Sequence, residues 1–300
     1  MTRAANENGS AVERAPAIAT DRAAQAHIAA LRAAATRHAT SSPGGDMVWH
    51  AWGRGPALVL LHGGSGSWTH WIRNIAPLAR THRVLAGDLP GLGDSPLPAQ
   101  EDSIDALAVI VSAGIDALIA GDQPFDLAGF SFGGIVGGHV ALAQARRIRR
   151  LIIVGSPPFG LATGGPANEV RAVQPELSLD QARPIHLHNL ATLMFADAAT
   201  IDALALRVHH DNLVRSRLHS RKIARAGTLA QALRDAPCPL HGIWGEQDVT
   251  VHPDLASLRE LFMQGGPDNS FQMLDKVGHW AMYEDPARFN ALLSVRLGAA

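Results

Sequence analysis

The chain has 300 residues, of which 47% are hydrophobic and 18% are charged, so it can bury a large core and is not intrinsically disordered. Lys and Arg (26) nearly balance Asp and Glu (27), so the net charge of -1 gives no reason to expect nucleic acid or an anionic membrane as a partner. The single cysteine, Cys238, excludes an internal disulfide and a thiolate-rich metal site, and no run approaches the ~20 apolar residues of a membrane-spanning helix.

Residues 1–45 are predicted to form an extension outside the main domain. The first residues lack the basic start and apolar run of a secretory signal, so the sequence predicts a cytoplasmic protein. An alanine-rich stretch over 17–37, with Ile28 and Leu31 on one stripe, predicts an accessory helix that ends before a breaker cluster at 40–45. The sequence leaves open whether this helix packs on the main body or mediates a homo-oligomer.

From residue 46 onward, short β-branched apolar runs alternate with helical patterns, which is typical of a parallel sheet covered by helices on both faces. Residues 46–155 and 237–300 are therefore predicted to form an α/β core, a mostly parallel, doubly wound sheet of about eight strands. Residues 156–236 show broken helical periodicity and no strand pattern, which predicts a helical cap inserted over the carboxyl edge of the sheet. The predicted strands cover 47–52, 57–62, 83–88, 125–130, 150–155, 240–245 and 270–275.

The fourth predicted strand runs directly into a Gly-x-Ser-x-Gly motif, Gly129 to Gly133, and an apolar helix follows at once. A turn this sharp strains its central residue, and small residues on either side let the neighbouring chains approach. The turn is expected to lift the Ser131 hydroxyl above the sheet edge, at a helix start that favours negative charge. This context predicts that Ser131 is a nucleophile.

A serine nucleophile needs a base to take its proton and an acid to orient that base. Asp248 follows the sixth predicted strand and His279 follows the seventh, so both are expected at the sheet edge that carries Ser131. The chain order Ser, Asp, His is that of one known arrangement of the catalytic triad. Asp254 is an alternative acid, although its place after a proline favours a role at a helix start.

Taken together, five segments of the chain resemble the α/β-hydrolase family, and the likeness spans residues 47–297. The resemblance implies that the backbone N–H groups of Phe132 and Gly64 form an oxyanion hole. Gly64 suits that role because a residue without a side chain lets its amide approach a substrate oxygen closely. The segments are His62-Gly63-Gly64, Asp88 to Ser95, the serine elbow, Trp244 to Asp248, and Gly278-His279-Trp280.

Residues near these motifs are candidates for the lining of an apolar substrate pocket. They are Gly63, Trp68, Phe130, Phe159 and Trp280.

Four histidines of the predicted cap raise the question of a metal site. No His-Glu-x-x-His pattern or matching carboxylate spacing accompanies them, so neither a metal nor another cofactor is predicted. The four are His186, His188, His209 and His210.

The serine at the elbow decides between the reaction classes of the family. Epoxide hydrolases and haloalkane dehalogenases place an aspartate there to attack an alkyl carbon, whereas a serine suits an acyl carbon. We therefore expect hydrolysis of a carboxylic ester or lactone with a small to medium, largely apolar substrate, through an acyl-enzyme on Ser131.

Two alternatives stay open. Hydrolases of carbon–carbon bonds in meta-cleavage products of aromatic degradation use the same triad, and residues 278–280 and 284–290 resemble that subfamily. Two features depart from it: Phe130 stands where an asparagine is typical, and the glycine-rich turn lacks a Gly-Pro-Gly-Ala continuation. Arg207 and Arg215 are the candidates for a cap arginine that holds a substrate carboxylate.

The other alternative is a ligand-binding protein that keeps the fold without catalysis.

Overall fold

Eight strands form one sheet in the computed structural model, which describes residues 17–100, 103–161, 169–250 and 255–298. The strands are β1 (Thr36–Ser42), β2 (Gly45–Trp52), β3 (Ala57–Leu61), β4 (Arg83–Asp88), β5 (Phe125–Phe130), β6 (Ile148–Val154), β7 (Leu240–Gly245) and β8 (Ser270–Leu274). They lie in the order β1-β2-β4-β3-β5-β6-β7-β8. Strand β2 is antiparallel to both neighbours and all other pairs are parallel. The predicted α/β fold with a mostly parallel sheet is confirmed.

Helices cover both faces of this sheet. They are α1 (Asp21–Ala33), α2 (Ile75–Leu78), α3 (Ile104–Leu118), α4 (Phe132–Ala143), α5 (Leu179–Leu193), α6 (Ala203–Val214), α7 (Ser220–Ala224), α8 (Leu229–Arg234), α9 (Leu255–Met263), α10 (Ala281–Glu284) and α11 (Pro286–Leu297). None of the helices in the described ranges is both long enough and apolar enough to span a bilayer.

Strand β1 corrects the prediction for the amino-terminal segment. The helix predicted over 17–37 ends at Ala33, and the following residues pair with β2 as an outer strand of the sheet. The sheet therefore begins before residue 46. The strand escaped prediction because an edge strand has few neighbours and its sequence, TRHATSS, lacks an apolar alternation. Its Thr40 hydroxyl accepts a hydrogen bond from the Trp49 indole N–H at 3.1 Å, which fixes the pairing.

The central strands hold the site rigidly because they are buried on both faces. Every residue of β3 and of β5 is buried. One face packs against α3, α4 and α9, with Ile115, Val136 and Phe262 in the core. The other packs against α1, α11 and the cap, with Trp71 and Phe289 in contact. Parallel strands covered in this way need no polar face, which explains their unbroken apolar runs.

Helices α5 to α8 occupy the described part of 156–236, and no strand lies in that part. Helix α5 begins with a capping box in which the Ser178 side chain accepts from the Gln181 amide and the Gln181 side chain accepts from the Ser178 amide. The four helices lie between β6 and β7 in the chain, and three of them, α5, α6 and α7, contribute residues to the cavity described below.

Asp202 joins the cap to the core and to the amino-terminal segment. Its carboxylate caps α6 by accepting from the Ala205 amide at 2.9 Å, and it accepts from the Tyr283 hydroxyl and an Arg73 N–H, both at 2.6 Å. The amide of Ile18 donates to the same group at 2.9 Å. The Asp202 side chain is only 4% exposed and that of Arg73 13%, so this is a buried ion pair.

Substitution of Asp202 tests this junction. Asp202→Asn removes the charge that compensates the buried Arg73 guanidinium, so we expect the free energy of unfolding to fall by about 3 kcal/mol. Asp180→Asn is the matched control, because its ion pair with Arg183 is exposed and should contribute less than about 1 kcal/mol. Urea unfolding of both variants measures the difference. Equal losses would contradict the role given to Asp202.

Candidate active site

Ser131 occupies the turn between β5 and α4. Its backbone has φ 50° and ψ -117°, a conformation that side-chain-bearing residues rarely adopt. The positions two residues before and after Ser131 have no room for a side chain. A Cβ added at Gly129 would lie 2.5 Å from the Gly133 carbonyl oxygen. One added at Gly133 would lie 2.5 Å from that of His62. The turn therefore depends on both glycines.

Three side chains from separate strand ends meet at this turn. The Nε2 atom of His279 lies 3.1 Å from the Ser131 hydroxyl oxygen, and its Nδ1 atom lies 2.9 Å from a carboxylate oxygen of Asp248. Since the carboxylate can only accept, Nδ1 is assigned the proton and Nε2 presents its lone pair to the serine hydroxyl. His279 and Asp248 are both buried, which shields this hydrogen bond from water.

Two residues that were not predicted from the sequence support Asp248 and His279. Thr250 donates from its amide at 2.8 Å and from its hydroxyl at 2.7 Å to Asp248 Oδ1, whereas His279 contacts Asp248 Oδ2. Gly155, with φ +55°, leaves room for the pair, because an added Cβ would lie 3.2 Å from both Asp248 Oδ2 and His279 Nδ1. The signals were present, a threonine two residues after the acid and a glycine directly after β6, but neither has meaning until the strands are aligned.

Gly64 and Phe132 lie beside each other, and both line the cavity that Ser131 lines. Phe132 is the first residue of α4, where amide groups have no acceptor within the helix. A Cβ added at Gly64 would lie 3.7 Å from the Phe132 Cβ and 2.5 Å from the Ser220 hydroxyl oxygen. The absence of a side chain at Gly64 therefore keeps the space between the core and the cap open.

A cavity of 280 Å³ opens above Ser131, between the carboxyl edge of the sheet and the cap. Gly63 and Phe130 line it, as predicted from the sequence, and the Phe130 ring also packs on His279 with ring centroids 5.0 Å apart. The cap contributes mainly apolar side chains to the wall, together with four polar residues, Asn189, His209, Ser220 and Arg221. The apolar lining includes Phe132, Ile135, Leu193, Met194, Leu213 and Ala224.

Comparison with known proteins identifies the fold family. A family model described as the alpha/beta hydrolase family matches residues 58–292. The chain belongs to the alpha/beta hydrolase family. It is 29% identical over 259 residues to a 2-hydroxy-6-oxononadienedioate/2-hydroxy-6-oxononatrienedioate hydrolase of Paraburkholderia phymatum, covering 80% of this chain and 86% of that protein.

Solved structures of two hydrolases show the same fold. A meta-cleavage product hydrolase of Pseudomonas fluorescens superposes with a TM-score of 0.71 at 21% identity, over 87% of this chain and 97% of that one. A carboxylesterase of Bacillus subtilis gives a TM-score of 0.70 at 20% identity, over 93% and 97% of the two chains. These two hydrolases act on different bonds, so the likeness to them shows the fold and does not identify the bond that is cleaved.

Three residues predicted to line the pocket of this hydrolase do not line the cavity. Trp68 is 1% exposed and packs against Trp52 and His50, and its amide donates to Asp88 at 2.7 Å. Trp280 is also buried. Its ring stacks on that of Tyr283, and its indole N–H donates to the His70 carbonyl. Phe159 lies on the surface with 39% of its area exposed. Aromatic character alone did not separate core, surface and cavity.

His70 takes the place at the cavity wall that the tryptophans were expected to hold. Its Nδ1 atom accepts a hydrogen bond from the Gly63 amide at 3.2 Å. Burial, and then the neighbouring His62, His209 and His279, keep the pKa of His70 well below its usual range. The ring is therefore neutral, its proton is on Nε2, and this histidine is a hydrogen-bond donor.

Neither candidate for a carboxylate-binding arginine lines the cavity. Arg207 is held by Asp21 of α1 at 2.7 Å and by Asp211 at 3.0 Å, and Arg215 pairs with Asp94 at 3.0 Å. Both therefore act in the structure as links between elements.

The cap histidines form hydrogen bonds and ring contacts. His186 Nε2 lies 3.0 Å from His210 Nδ1, and His209 packs edge-on against His186. Within the described ranges, no group of three or more metal-ligating side chains is arranged to hold an ion. Asp254, the alternative acid, lies outside the described residues.

The burial of His62 predicts that the stability of this hydrolase depends on pH. Its ring is fully buried below the Gly63-Gly64 turn, where Nε2 accepts from the Leu89 amide at 2.8 Å and Nδ1 donates to the Gly63 carbonyl at 2.8 Å. Burial lowers its pKa to about 4. As the pH falls, the unfolded chain, with a histidine pKa near 6.5, binds the proton first. The stabilisation from neutral His62 is fully present above about pH 6.5 and is lost towards pH 4.

We therefore expect acid to destabilise the wild-type protein more steeply than a His62→Gln variant. The contribution of one such histidine is up to about 1.4 kcal/mol per pH unit in this window. Urea unfolding at several pH values between about 7 and 4.5 measures the slope for both proteins. The same slope in both would show that His62 is not responsible.

Proposed function

We propose that this protein hydrolyses carboxylic esters or lactones with mainly apolar acyl groups, through an acyl-enzyme on Ser131. The observation that carries the proposal is the hydrogen-bonded chain from Ser131 through His279 to Asp248 at the floor of an apolar cavity. A serine hydroxyl with such a partner is suited to attack on an acyl carbon.

In the proposed mechanism, the Ser131 oxygen adds to the substrate carbonyl while His279 Nε2 takes the hydroxyl proton. The Asp248 carboxylate stabilises the imidazolium through Nδ1–H, and Thr250 holds that carboxylate in place. The amides of Phe132 and Gly64 donate to the developing oxyanion. His279 then returns the proton to the leaving alcohol as the tetrahedral intermediate collapses. Water, deprotonated by the same histidine, releases the acid and restores the serine.

Hydrolysis of a carbon–carbon bond is the second candidate, and the relationship to the dienedioate hydrolase of Paraburkholderia phymatum favours it. The same serine can attack a ketone carbonyl, with the carbon fragment leaving in place of an alcohol. Such a substrate carries a carboxylate, and Arg221 is the arginine that lines the cavity in the described part of the chain. The departures at Phe130 and at the glycine-rich turn, together with the apolar wall, rank ester hydrolysis first.

Removal of the nucleophile tests catalysis by Ser131. Ser131→Ala should lower turnover of p-nitrophenyl butyrate by about 10⁴-fold or more, because it removes the group that forms the acyl-enzyme. A fluorophosphonate probe should add to Ser131 of the wild-type protein, as detected by peptide mass. An unlabelled serine together with negligible ester turnover by the wild-type protein would point to a ligand-binding protein without catalysis, and equal turnover in the variant would show that Ser131 is not the nucleophile.

The two candidate reactions are separated by a direct comparison of substrates. We expect kcat/KM for p-nitrophenyl esters of short to medium acyl chains to exceed that for a 2-hydroxy-6-oxo-dienedioate by about tenfold or more, because the cavity wall is mainly apolar. Hydrolysis is followed by nitrophenolate release and by loss of the yellow dienoate. Rapid loss of the dienoate colour with negligible nitrophenolate release would reverse the ranking.

A further inference from the structure

A second depression adjoins the cavity above Ser131. It measures 410 Å³ and lies along α7 and the loop that precedes it. The two hollows share Ser65, Ser220 and Arg221 in their walls. Because Ser220 also lies against Gly64, the junction is next to the proposed oxyanion hole. A single ligand can therefore lie across both.

We call this second depression the basic groove, because its walls are strongly cationic. The stretch from Asn212 to Arg234 contains six Lys and Arg residues and no Asp or Glu, although the whole chain has a net charge of -1. The four Lys and Arg side chains that line the groove are Arg217, Arg221, Lys222 and Arg225. The positive charge is thus local and lies beside the nucleophile.

In the part of the chain that the structure describes, no acidic side chain forms an ion pair with Arg217, Lys222 or Arg225. Arg217 donates to the carbonyl oxygens of Gly93 and Ser95, which are neutral acceptors. Lys222 and Arg225 are both exposed.

Arg221 and Arg225 are near enough for their charges to interact. Burial and the charge of Arg225 lower the pKa of the Arg221 guanidinium. Like charges held close together are destabilising unless a counter-ion joins them. The groove is therefore prepared for an anion.

We propose that the substrate is amphiphilic, with its apolar acyl chain in the cavity and an anionic group, a phosphate or a carboxylate, in the basic groove. The proposal rests on the proposed function, because it takes the acyl carbon to lie at Ser131. Guanidinium groups match the geometry of phosphate and carboxylate oxygens, and a lysine adds a mobile charge. The groove would then select on the part of the substrate beyond the acyl chain.

Matched esters test this selection. Octanoyl esters of 4-hydroxybenzamide, 4-hydroxybenzoate and 4-hydroxyphenyl phosphate differ in the group that would reach the groove. We expect kcat/KM for an anionic ester to exceed that for the neutral amide by about tenfold at low salt, and the advantage to shrink as salt is added. The larger gain identifies the anion as phosphate or carboxylate. Equal values for all three esters would overturn the proposal.

Charge-removing variants locate the effect. In Lys222→Gln/Arg225→Gln the preference for the anionic ester should fall about tenfold. The control, Arg146→Gln/Arg234→Gln, removes the same charge from exposed positions outside the groove and should keep the preference. Equal losses in both double variants would mean that the preference comes from net charge, which contradicts a site in the groove.

A binding measurement separates this proposal from the proposed function. Ser131→Ala is titrated calorimetrically with octyl phosphate, and we expect binding that weakens with salt and with loss of Lys222 and Arg225. If the variant binds octyl phosphate but the wild-type protein cleaves no ester, the anion site stands and the esterase proposal falls. If Ser131-dependent cleavage occurs without octyl phosphate binding or an anionic preference, only the amphiphilic substrate is ruled out.

Discussion

The strained turn at Ser131 is the constraint on which the rest of the site depends. A residue with a side chain is held at positive φ there, and it is tolerated because β5 lies between two buried parallel strands and α4 starts at once. The approach of the neighbouring chains leaves no space for a Cβ at Gly129 or Gly133. The rigidity of the central sheet therefore holds the Ser131 turn in place.

The parallel arrangement of the strands explains why Asp248 and His279 lie next to Ser131. The carboxyl ends of β7 and β8 lie at the same edge as that of β5, so the loops that follow them deliver Asp248 and His279 to one rim. This part of the site was predictable from the sequence, because strand ends can be recognised from apolar runs and the three residues follow directly. The positions of Thr250 and Gly155 were not predictable, since their roles come from contacts between strands that are remote in the chain.

The remaining failures of prediction have different physical causes. Strand β1 is an edge strand whose polar residues carry no alternation, so it could not be distinguished from a loop after a helix. The tryptophans at positions 68 and 280 were expected at the pocket, but large aromatic rings are equally suited to the core, and only packing decides between the two. Arg207 is bound by α1, a helix whose docking site the sequence does not specify.

The position of β1 at the edge of the sheet has a consequence for solubility. The strand behind it, β2, reads GDMVWHAW and has mostly buried side chains, so without a neighbour it would offer unpaired amides and carbonyls on an apolar ribbon. With β1 in place, the outermost strand at this edge of the sheet is instead TRHATSS. It carries Arg37 and His38 and is a poor template for pairing with a strand of another chain. Thus a segment whose sequence looks unstructured shields the protein from edge-to-edge aggregation.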